Sequence, residues 1–461
     1  MTDVPTLFNS EQVLDTTEAK RHAVYSAYRP SGIDWVGEIP DHWHAKRLKY
    51  LATFRSGFTP NTENLDYWDG DIPWVSPKDM KRRLLVETQD NVTQLAVEDV
   101  FGSLVEAGSV LVVVRSGILR HSLPVAIASR DLAINQDIRA LRPLGEIEAD
   151  YLAWLIEGNQ RQLLDAWVKP GTTVESVESD YMLNEQIPLP PVNEQQAIAA
   201  FLDERTRRID ELIEAKRKLL DLLAEKRQAV ITHAVTKGLD PNAKLKPCGI
   251  DWLGDVPAHW AIEQLRRGVD RFVDYRGRTP TKTESGVPLI TAAAVRDGEI
   301  RHERAPEYMA EDEYTDWMSR GWPEVDDVVI TSEAPLGEVA LVKDVDVAFA
   351  QRIILFKVNR ALVHPEYLRY YYLSEAGQAE LLSRASGSTA TGIRADRLRA
   401  SAIIVPPVDE QERIVEYLDK ECGKLVEPIR HINKAIELAR ELRSSLVSAA
   451  VTGKIDVRGE G

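Results

Sequence analysis

The chain has very little cysteine, no long apolar run and no leader-like N-terminus. Only Cys248 and Cys422 are cysteines among 461 residues, too few for a disulfide framework or a cysteine-based metal site. No apolar run approaches the roughly 18 residues of a membrane-spanning helix. The N-terminal segment is polar and acidic. These features predict a cytoplasmic protein of a reducing environment that has no metal site.

The chain also lacks the common signatures of catalysis. It contains neither a phosphate loop of the GxxxxGK[ST] type nor a GxGxxG turn. Its nine histidines are scattered, without cysteines at metal-binding spacing. No Asn-Pro-Pro-Tyr-like motif of an amino-methyltransferase is present. We therefore predict a chain that is not an enzyme by itself, with no catalytic residues and no cofactor of its own.

The chain has fewer basic than acidic residues. There are 57 Lys and Arg against 73 Asp and Glu, which gives a net charge of −16. A protein that holds nucleic acid without help is usually basic. A net acidic chain that binds DNA would therefore depend on partner proteins, because long-range repulsion opposes its local basic loops.

The dominant positive feature is an internal duplication. The segment 31–48 reads SGIDWVGEIPDHWHAKRL, the segment 248–265 reads CGIDWLGDVPAHWAIEQL, and nine of the eighteen positions are identical. Further pairs follow in the same order along both halves. They are Gly57-Phe-Thr-Pro60 with Gly277-Arg-Thr-Pro280, Asn135-Gln-Asp137 with Ala350-Gln-Arg352, Gly171-Thr-Thr173 with Gly387-Ser-Thr389, and Pro190-Pro-Val-Asn-Glu-Gln195 with Pro406-Pro-Val-Asp-Glu-Gln411. The pattern predicts two similar structural units that present two similar surfaces.

Each half combines a globular part with a long helix. Short β-type runs, turn residues and late helical stretches indicate an α+β domain. The predicted division is a tail at 1–25, a first domain at 26–192, a helix at 193–237, a second domain at 238–408, a helix at 409–453 and a tail at 454–461. Asn193 and Asp409 are suitable N-caps. The recurring His42, His259 and the tryptophans Trp35, Trp43, Trp252 and Trp260 are interpreted as structural and core residues.

Both helices carry the same apolar heptad seam. The seam residues are Ile198, Leu202, Ile209, Ile213, Leu220, Leu223 and Val230 in the first helix and Ile414, Leu418, Leu425, Ile429, Ile436, Ala439 and Leu446 in the second. A helix of about 43 residues spans roughly 65 Å, too long for one small domain to cover. The order domain, helix, domain, helix then favours an antiparallel pair of helices. Pro428 should kink or break the second helix.

These motifs resemble the specificity subunit of type I restriction-modification systems. The resemblance rests on Gly37-Glu-Ile-Pro-x-His-Trp43, Gly57-x-Thr-Pro60, Ile72-Pro-Trp74 and Pro190-Pro-x-x-Glu-Gln195 with the helix behind it, and on second copies of most of them. It covers residues 31–455, nearly the whole chain.

The resemblance implies two target-recognition domains, each reading one half of a split sequence in double-stranded DNA. It also implies that the paired helices, as an antiparallel coiled coil, act as a spacer and as the docking site for two modification subunits. Those subunits would bind S-adenosylmethionine and methylate adenine, and restriction subunits would join to form the nuclease.

Candidate DNA contacts are hydrogen-bond donors on loops. Phosphates attract Lys and Arg, and base edges in the major groove are read mainly by Arg, Lys, Asn and Gln. The candidates are Arg55, Ser56, Gly57, Thr59, Lys78, Lys81, Arg82, Arg83, Arg115, Arg120 and Thr172 in the first half and Arg276, Arg278, Thr279, Lys282, Arg296, Arg301 and Ser388 in the second. For any single one of them, ordinary surface charge or a simple turn is the competing interpretation.

Two other classes of protein remain open at this point. One is a coiled-coil scaffold that does not bind DNA, which explains the helices but not two large domains with diverging loops. The other is a single-chain restriction enzyme, against which the missing catalytic motifs argue.

Overall fold

The computed structural model describes residues 23–168, 175–250, 252–277, 279–386 and 392–459. They form two compact units. The first contains the described residues up to Ala215 together with those from Ala435, and the second runs from Lys216 to Lys434. Each unit thus contains one globular domain and parts of both long helices. The sequence-based domain limits given above remain a prediction.

The described part of the first half contains twelve strands and five α-helices. The strands are β1 Tyr28–Pro30, β2 Glu38–Pro40, β3 His44–Arg47, β4 Ala52–Ser56, β5 Trp68–Val75, β6 Leu84–Leu85, β7 Asp90–Val92, β8 Val110–Val113, β9 Val125–Ala128, β10 Ala133–Ile134, β11 Ile138–Pro143 and β12 Gln186–Leu189. The helices are α1 Gln94–Ala96, α2 Ala149–Gly158, α3 Gln160–Trp167, α4 Ser179–Asn184 and α5 Val192–Lys237.

The second half has a similar order of elements, with fourteen strands and six α-helices among its described residues. The strands are β13 Leu245–Pro247, β14 Asp255–Pro257, β15 Ala261–Gln264, β16 Val269–Asp274, β17 Lys282–Thr283, β18 Val287–Ile290, β19 Val295–Arg296, β20 Glu299–Ile300, β21 Tyr308–Met309, β22 Val328–Ser332, β23 Leu336–Leu341, β24 Ala348–Phe349, β25 Ile353–Val358 and β26 Ala402–Val405. The helices are α6 Leu265–Gly268, α7 Glu311–Met318, α8 Pro365–Leu373, α9 Glu375–Arg384, α10 Ala395–Arg399 and α11 Val408–Val451.

The sheets confirm the α+β class and the duplication. The main sheet of the first domain has the order β4-β11-β8-β9-β6, and that of the second has the matching order β16-β25-β22-β23. A short parallel pair recurs as β10 with β5 and as β24 with β18. The antiparallel pair that leads into the long helix recurs as β3 with β12 and as β15 with β26. The drift in sequence offset between the halves therefore falls in the connections between equivalent strands.

The long helices begin one residue earlier than the predicted N-caps. Because α5 starts at Val192 and α11 at Val408, Asn193 and Asp409 lie inside the first turn. The second helix continues through Pro428, so the structure has no break there, and a local kink stays a prediction. No helix within the described ranges combines the length and the apolar character needed to cross a membrane.

The helices pack against each other in opposite directions. In the first unit, Leu202 near the start of α5 shares one hydrophobic core with Val447 near the end of α11. In the second unit, Val235 at the end of α5 shares a core with Ile414 at the start of α11. The start of one helix thus lies beside the end of the other in both units, which confirms the antiparallel arrangement.

A tyrosine ties each helix end to the domain that it reaches. Buried Tyr151 in α2 donates its hydroxyl to the carbonyls of Pro188 in β12 and Val451 at the end of α11, each at 3.0 Å. In the second unit, Tyr367 in α8 reaches Ile404 at 3.1 Å and Val235 at 3.3 Å. Burial raises the pKa of the Tyr151 hydroxyl well above its usual value, so it stays a donor at neutral pH.

The glutamine of the Pro-Pro-x-x-Glu-Gln motif fixes the start of each helix. Fully buried Gln195 donates to the carbonyls of Glu146 and Pro190, both at 2.9 Å, and accepts the N–H of Glu148 at 2.8 Å. Gln411 makes the same three bonds in the second unit. Each helix is thus joined to the loop ahead of α2 or α8, and loss of this amide would leave buried polar groups unpaired.

The preceding glutamate contacts the histidine of the repeated His-Trp pair in both halves but the tryptophan only in the first, because the buried Trp260 Nε1 has no hydrogen-bond partner among the described residues. The Glu194 carboxylate lies 2.8 Å from His42 Nε2 and accepts the Trp43 indole N–H at 3.0 Å. In the second half, His259 lies 2.8 Å from Glu410. The structural role expected of both histidines fits these contacts, and Trp43 and Trp260 are buried. Trp252 is 48% exposed, so the prediction of a core position for it is wrong.

We predict that Tyr151→Phe lowers the free energy of unfolding by about 1–2 kcal/mol, because two buried carbonyls lose the side-chain donor that joins them. Tyr367→Phe should have a similar effect through the second unit. Urea unfolding followed by intrinsic fluorescence measures both. Tyr181→Phe is the matched control, since Tyr181 is 52% exposed and its hydroxyl makes no hydrogen bond among the described residues. Equal midpoints for Tyr151→Phe and Tyr181→Phe would contradict this account.

Candidate nucleic-acid interface

In each domain, several strands and loops end at one edge. In the first domain this edge is formed by the ends of β4, β5, β8 and β10 and by the start of β11. In the second it is formed by the corresponding ends of β16, β18, β22 and β24 and by the start of β25. We call it the loop edge of each domain. Side chains on loops at a common strand edge can converge on one ligand, as binding residues on a rigid scaffold commonly do.

The Gly-x-Thr-Pro turn of the first domain packs directly against backbone carbonyls of the loop edge. The Phe58 N–H donates to the carbonyl of Ile134 at 2.9 Å. A Cβ at position 57 would lie 2.0 Å from that same oxygen and 2.3 Å from the carbonyl oxygen of Asn135. Only glycine permits so close an approach, because both neighbours are backbone atoms.

The same turn is joined to a glutamine in both domains. The Thr59 hydroxyl donates to Gln136 Oε1 in the first domain. In the second, Thr279 donates to Gln351 Oε1 at 3.3 Å. We call this repeated contact the Thr–Gln frame. It leaves each glutamine NH₂ group as a donor at the loop edge, and Gln136 is exposed.

An arginine near the start of β11 joins Ser56 at the end of β4 to Ser179 at the start of α4. Arg139 donates to the hydroxyl of Ser56, and its second terminal nitrogen donates to Ser179 at 2.8 Å. Burial lowers the pKa of Arg139 from its usual value. Its Nε is buried without a hydrogen-bond partner among the described residues. This side chain is therefore a donor that the protein only partly satisfies.

The predicted cations of the first domain fall into two groups. Lys78, Lys81 and Arg82 are exposed, and no carboxylate pairs with them in the described part of the chain. The others are engaged: Arg55 donates to the carbonyls of Phe101, Ser103 and Leu104, Arg83 pairs with Asp150 and Asp203, Arg115 pairs with Asp137, and Arg120 pairs with Glu175. Arg55 and Arg83 thus hold loops, whereas the first three are free to meet phosphates.

Arg83 lies in an open cavity of about 600 Å³ between the 81–83 loop and the long helices. Its guanidinium lies 4.3 Å from the centre of the Trp154 ring, whose N–H donates to Asp203 at 3.0 Å. Arg443 of α11 bonds Asp210 of α5 at 3.0 Å and Glu157 at 2.9 Å. This network of charges joins both helices to the first domain.

In the second domain, the four predicted cations that the structure describes are each paired locally. Arg276 bonds Asp274, Lys282 bonds Glu307, Arg296 bonds Glu338 and Arg301 bonds Glu299. Thr279 belongs to the Thr–Gln frame. Three further candidates, Thr172, Arg278 and Ser388, lie outside the described residues. DNA contact by any of these residues stays a prediction.

The predicted seam residues are buried to different degrees. Ile198, Leu202, Ile213, Ile414, Leu418 and Ile436 are buried, and Ile209, Leu220, Leu223, Leu425 and Ile429 are partly buried. Ile198 and Leu202 lie in the core of the first unit, and Ile414 and Leu418 lie in that of the second. The first turns of each helix therefore pack on their own domain.

Sequence reasoning missed several residues of the loop edge. Gln136, Asp137, Gln351 and Arg352 were noted as part of the duplication but not as site residues. Their recurrence beside the Gly-x-Thr-Pro turn was the available signal. Within the described ranges, no group of three His, Cys, Asp or Glu side chains could hold a metal ion.

Comparisons with known proteins agree with this architecture. The family described as "Type I restriction modification DNA specificity domain" matches residues 40–221 and 322–438, more than half of the chain. The EcoR124I/EcoR124II specificity subunit of Escherichia coli is 35% identical over 185 residues, which cover 40% of this chain and only 45% of that subunit. The MjaIX specificity subunit of Methanocaldococcus jannaschii is 24% identical over 430 residues, which cover 92% of this chain and 95% of that one.

A solved structure supports the fold. The structure described as "Structural basis underlying complex assembly and conformational transition of the type I R-M system" superposes with a TM-score of 0.60 at 18% identity. The match covers 90% of this chain and 98% of that one. With the two matched segments falling on the two repeated halves, the chain belongs to the family of type I restriction-modification DNA specificity proteins.

Proposed function

We propose that this chain is the sequence-specificity subunit of a type I restriction-modification complex. Each domain reads one half of a bipartite target in double-stranded DNA, and the two long helices set the spacing between the halves. The helices also dock two modification subunits. The chemistry belongs to the partners: the modification subunits bind S-adenosylmethionine and methylate adenine, and restriction subunits supply the nuclease.

The observation that carries the proposal is the loop edge. Both domains place the Thr–Gln frame at the same strand ends, yet they surround it with different side chains. A common frame with different donors is what two readers of different half-sites require, because base edges differ in their pattern of donors and acceptors. A scaffold without a DNA role gives no reason for polar donors to recur at this edge.

The charge distribution supports a need for partners. In the second domain the predicted cations Arg276, Lys282, Arg296 and Arg301 lie within salt-bridge distance of carboxylates. A paired cation offers less net charge to a phosphate, and the chain as a whole carries −16. Tight binding then depends on partner subunits that add phosphate contacts.

Exposed leucines at equivalent helix positions support the docking of two partners. Leu222 of α5 and Leu438 of α11 are related by the repeat offset of 216, and they are 51% and 43% exposed. Other large apolar side chains of the helices are exposed as well, among them Leu212, Val426 and Leu442, but Leu222 and Leu438 occupy equivalent positions of the repeat. An exposed leucine at the same repeat position of each helix fits one modification subunit per helix.

The decisive test exchanges one domain. Residues 40–185 are replaced by those of a relative that methylates a different target, and the complex is expressed with its modification subunits in a methylation-free host. Long-read sequencing should then show that one half of the methylated motif changes and that the other half and the spacing do not. The reciprocal exchange of residues 257–401 should change only the other half. A motif altered in both halves, or no chain-dependent methylation, would refute the proposal.

We predict that Gly57→Ala weakens recognition of one half-site by about tenfold or more, since its Cβ forces the turn off the Ile134 and Asn135 carbonyls and separates Thr59 from Gln136. Methylation rates on oligonucleotides with single-base changes measure the effect. Gly117→Ala is the matched control, because a Cβ there meets no atom within 4 Å. Equal discrimination by the two variants would show that the turn is not part of the reading surface.

We predict that Leu222→Glu and Leu438→Glu each remove one modification subunit from the complex. Each leucine is exposed in this chain and would be covered by the docked subunit, so replacing it by a carboxylate should weaken docking by roughly 10- to 100-fold. Native mass spectrometry should show one modification subunit in each single variant and none in the double variant. Leu144→Glu is the control, because Leu144 is 53% exposed but lies on the first domain rather than on a helix. Full occupancy in the double variant would place the docking surface elsewhere.

A further inference from the structure

Backbone hydrogen bonds define equivalent positions at the two loop edges. In the first domain, the N–H of Val114 donates to the carbonyl of Asp137 at 2.7 Å, and the carbonyl of Val114 accepts the N–H of Val177 at 2.8 Å. Val114 thus joins the end of β8 to the loop before β11 and to the segment that leads into α4.

The second domain contains the same three-way junction. There the N–H of Ser332 donates to the carbonyl of Arg352 at 2.8 Å, and the carbonyl of Ser332 accepts the N–H of Ile393 at 2.9 Å. Ser332 therefore takes the place of Val114, and Arg352 takes the place of Asp137. The residue that follows is Arg115 in one domain and Glu333 in the other. Each of these two residues also forms an isolated β-bridge, Arg115 with Ser176 and Glu333 with Gly392.

The two positions form an ion pair in both domains, with opposite polarity. In the first domain, Arg115 Nε lies 2.7 Å from Asp137 Oδ1. In the second, Arg352 Nε lies 3.0 Å from Glu333 Oε1. The arginine thus follows β8 in one domain and precedes β25 in the other, directly beside the glutamine of the Thr–Gln frame.

The carboxylate approaches each guanidinium from its Nε side. This contact leaves the two terminal nitrogens of each arginine without another hydrogen bond or ion pair among the described residues, and the side chains are 55% and 47% exposed. In the first domain, Asn135 donates to the other oxygen of Asp137 at 3.3 Å and so orients the carboxylate. An arginine held at Nε presents its terminal pair as a planar fork, the geometry that matches O6 and N7 of guanine.

Stability does not account for these pairs. Exposed ion pairs contribute little to folding, because solvent screens them and ordering the side chains costs entropy. The protein nevertheless keeps the pair at one position of both junctions while its polarity is inverted. A role outside the fold explains why the pair is kept and why its direction differs.

We propose that Arg115 and Arg352 are the arginines that read a guanine in each half-site, with Asp137 and Glu333 as the positioning residues that aim them. This inference rests on the proposed function. The inverted polarity moves the guanidinium fork from one loop to the neighbouring loop of an otherwise common edge. The two domains then address guanines at different positions of their half-sites, which gives an asymmetric target from a duplicated protein.

The experiment compares single variants in the intact complex with its modification subunits. Arg115→Ala should relax one base position in one half-site, with discrimination against the wrong base falling roughly 5- to 150-fold. Arg352→Ala should do the same in the other half-site only. Asp137→Asn should relax the same position as Arg115→Ala, but less. Long-read methylation maps identify the position, and methylation rates on oligonucleotides give the fold-change.

Arg142→Ala is the matched control. Arg142 lies at the opposite end of β11, pairs with Glu106 at 3.0 Å and is 45% exposed, so it shares the environment but not the loop edge. Its methylated motif should equal that of the parent chain. The double variant Arg115→Glu with Asp137→Arg builds the polarity of the second domain into the first. It keeps an ion pair and should move the specified base within one half-site, which a loss of folding could not imitate.

The outcomes are distinguishable. Unchanged motifs for Arg115→Ala and Arg352→Ala in an active complex would overturn the inference and leave the proposed function intact. An equal loss of affinity for all sequences, with a smaller salt dependence, would show that the arginines bind phosphates, and it would reject the reading role. If the parent complex methylates no split motif, the proposed function and this inference fail together.

Discussion

The structure depends on one constraint: a helix of 44 or 46 residues with a continuous apolar seam cannot be covered by its own domain. Each helix therefore starts in the core of one domain and ends in the core of the other. Tyr151 and Tyr367 bond the arriving helix ends, and Gln195 and Gln411 bond the departing ones. The consequence is that neither domain core is complete without a segment that the sequence places in the other half. Helix ends that are fixed in this way also suit the proposed role as a spacer, because movement at the helix ends would change the distance between the two half-sites.

Acidity and DNA recognition are compatible because the two involve different residues. Carboxylates pair with Arg115 and Arg352 at the loop edges, whereas Lys78, Lys81 and Arg82 have no carboxylate partner among the described residues. The long helices carry charges in i,i+3 and i,i+4 pairs, such as Arg207 with Glu204 and Glu211. This pairing and the net charge of −16 together weaken non-specific attraction to phosphates. Specific contacts by an oriented fork or amide still distinguish bases, because they depend on geometry more than on net charge. Under the proposed function, such a subunit would discriminate between sequences while holding DNA weakly, and partner subunits would have to add the remaining phosphate contacts.

The sequence predicted the elements that repeat and missed those that rest on three-dimensional contacts. The heptad seam and the duplicated motifs led to the two domains, the long helices and their antiparallel packing. At Pro428 the sequence predicted a kink or a break, whereas the helix continues through this residue. The exposure of Trp252 was missed because the duplication treats Trp252 and Trp35 as equivalent. The structure distinguishes them, since Trp35 donates its indole N–H to Glu185. The sequence did not reveal the reversed ion pair, because the two positions have different offsets between the halves. The offset is 218 between Val114 and Ser332 but 215 between Asp137 and Arg352. Only the hydrogen bonds of the junction align these positions.

The free-energy cost of substitution explains which features the two halves share. The buried glutamine of each helix start makes three hydrogen bonds, and loss of such a group leaves partners unsatisfied at about 1–3 kcal/mol. That motif is accordingly the same in both halves. An exposed ion pair is worth about 0–1 kcal/mol, so its polarity can be inverted with little effect on folding. Duplication therefore preserves the buried polar ties that hold the domains and helices together, while the exposed pairs at the loop edge are free to diverge. Divergence is cheapest where the side chains face outward from a rigid edge, and these are also the positions from which a base can be read.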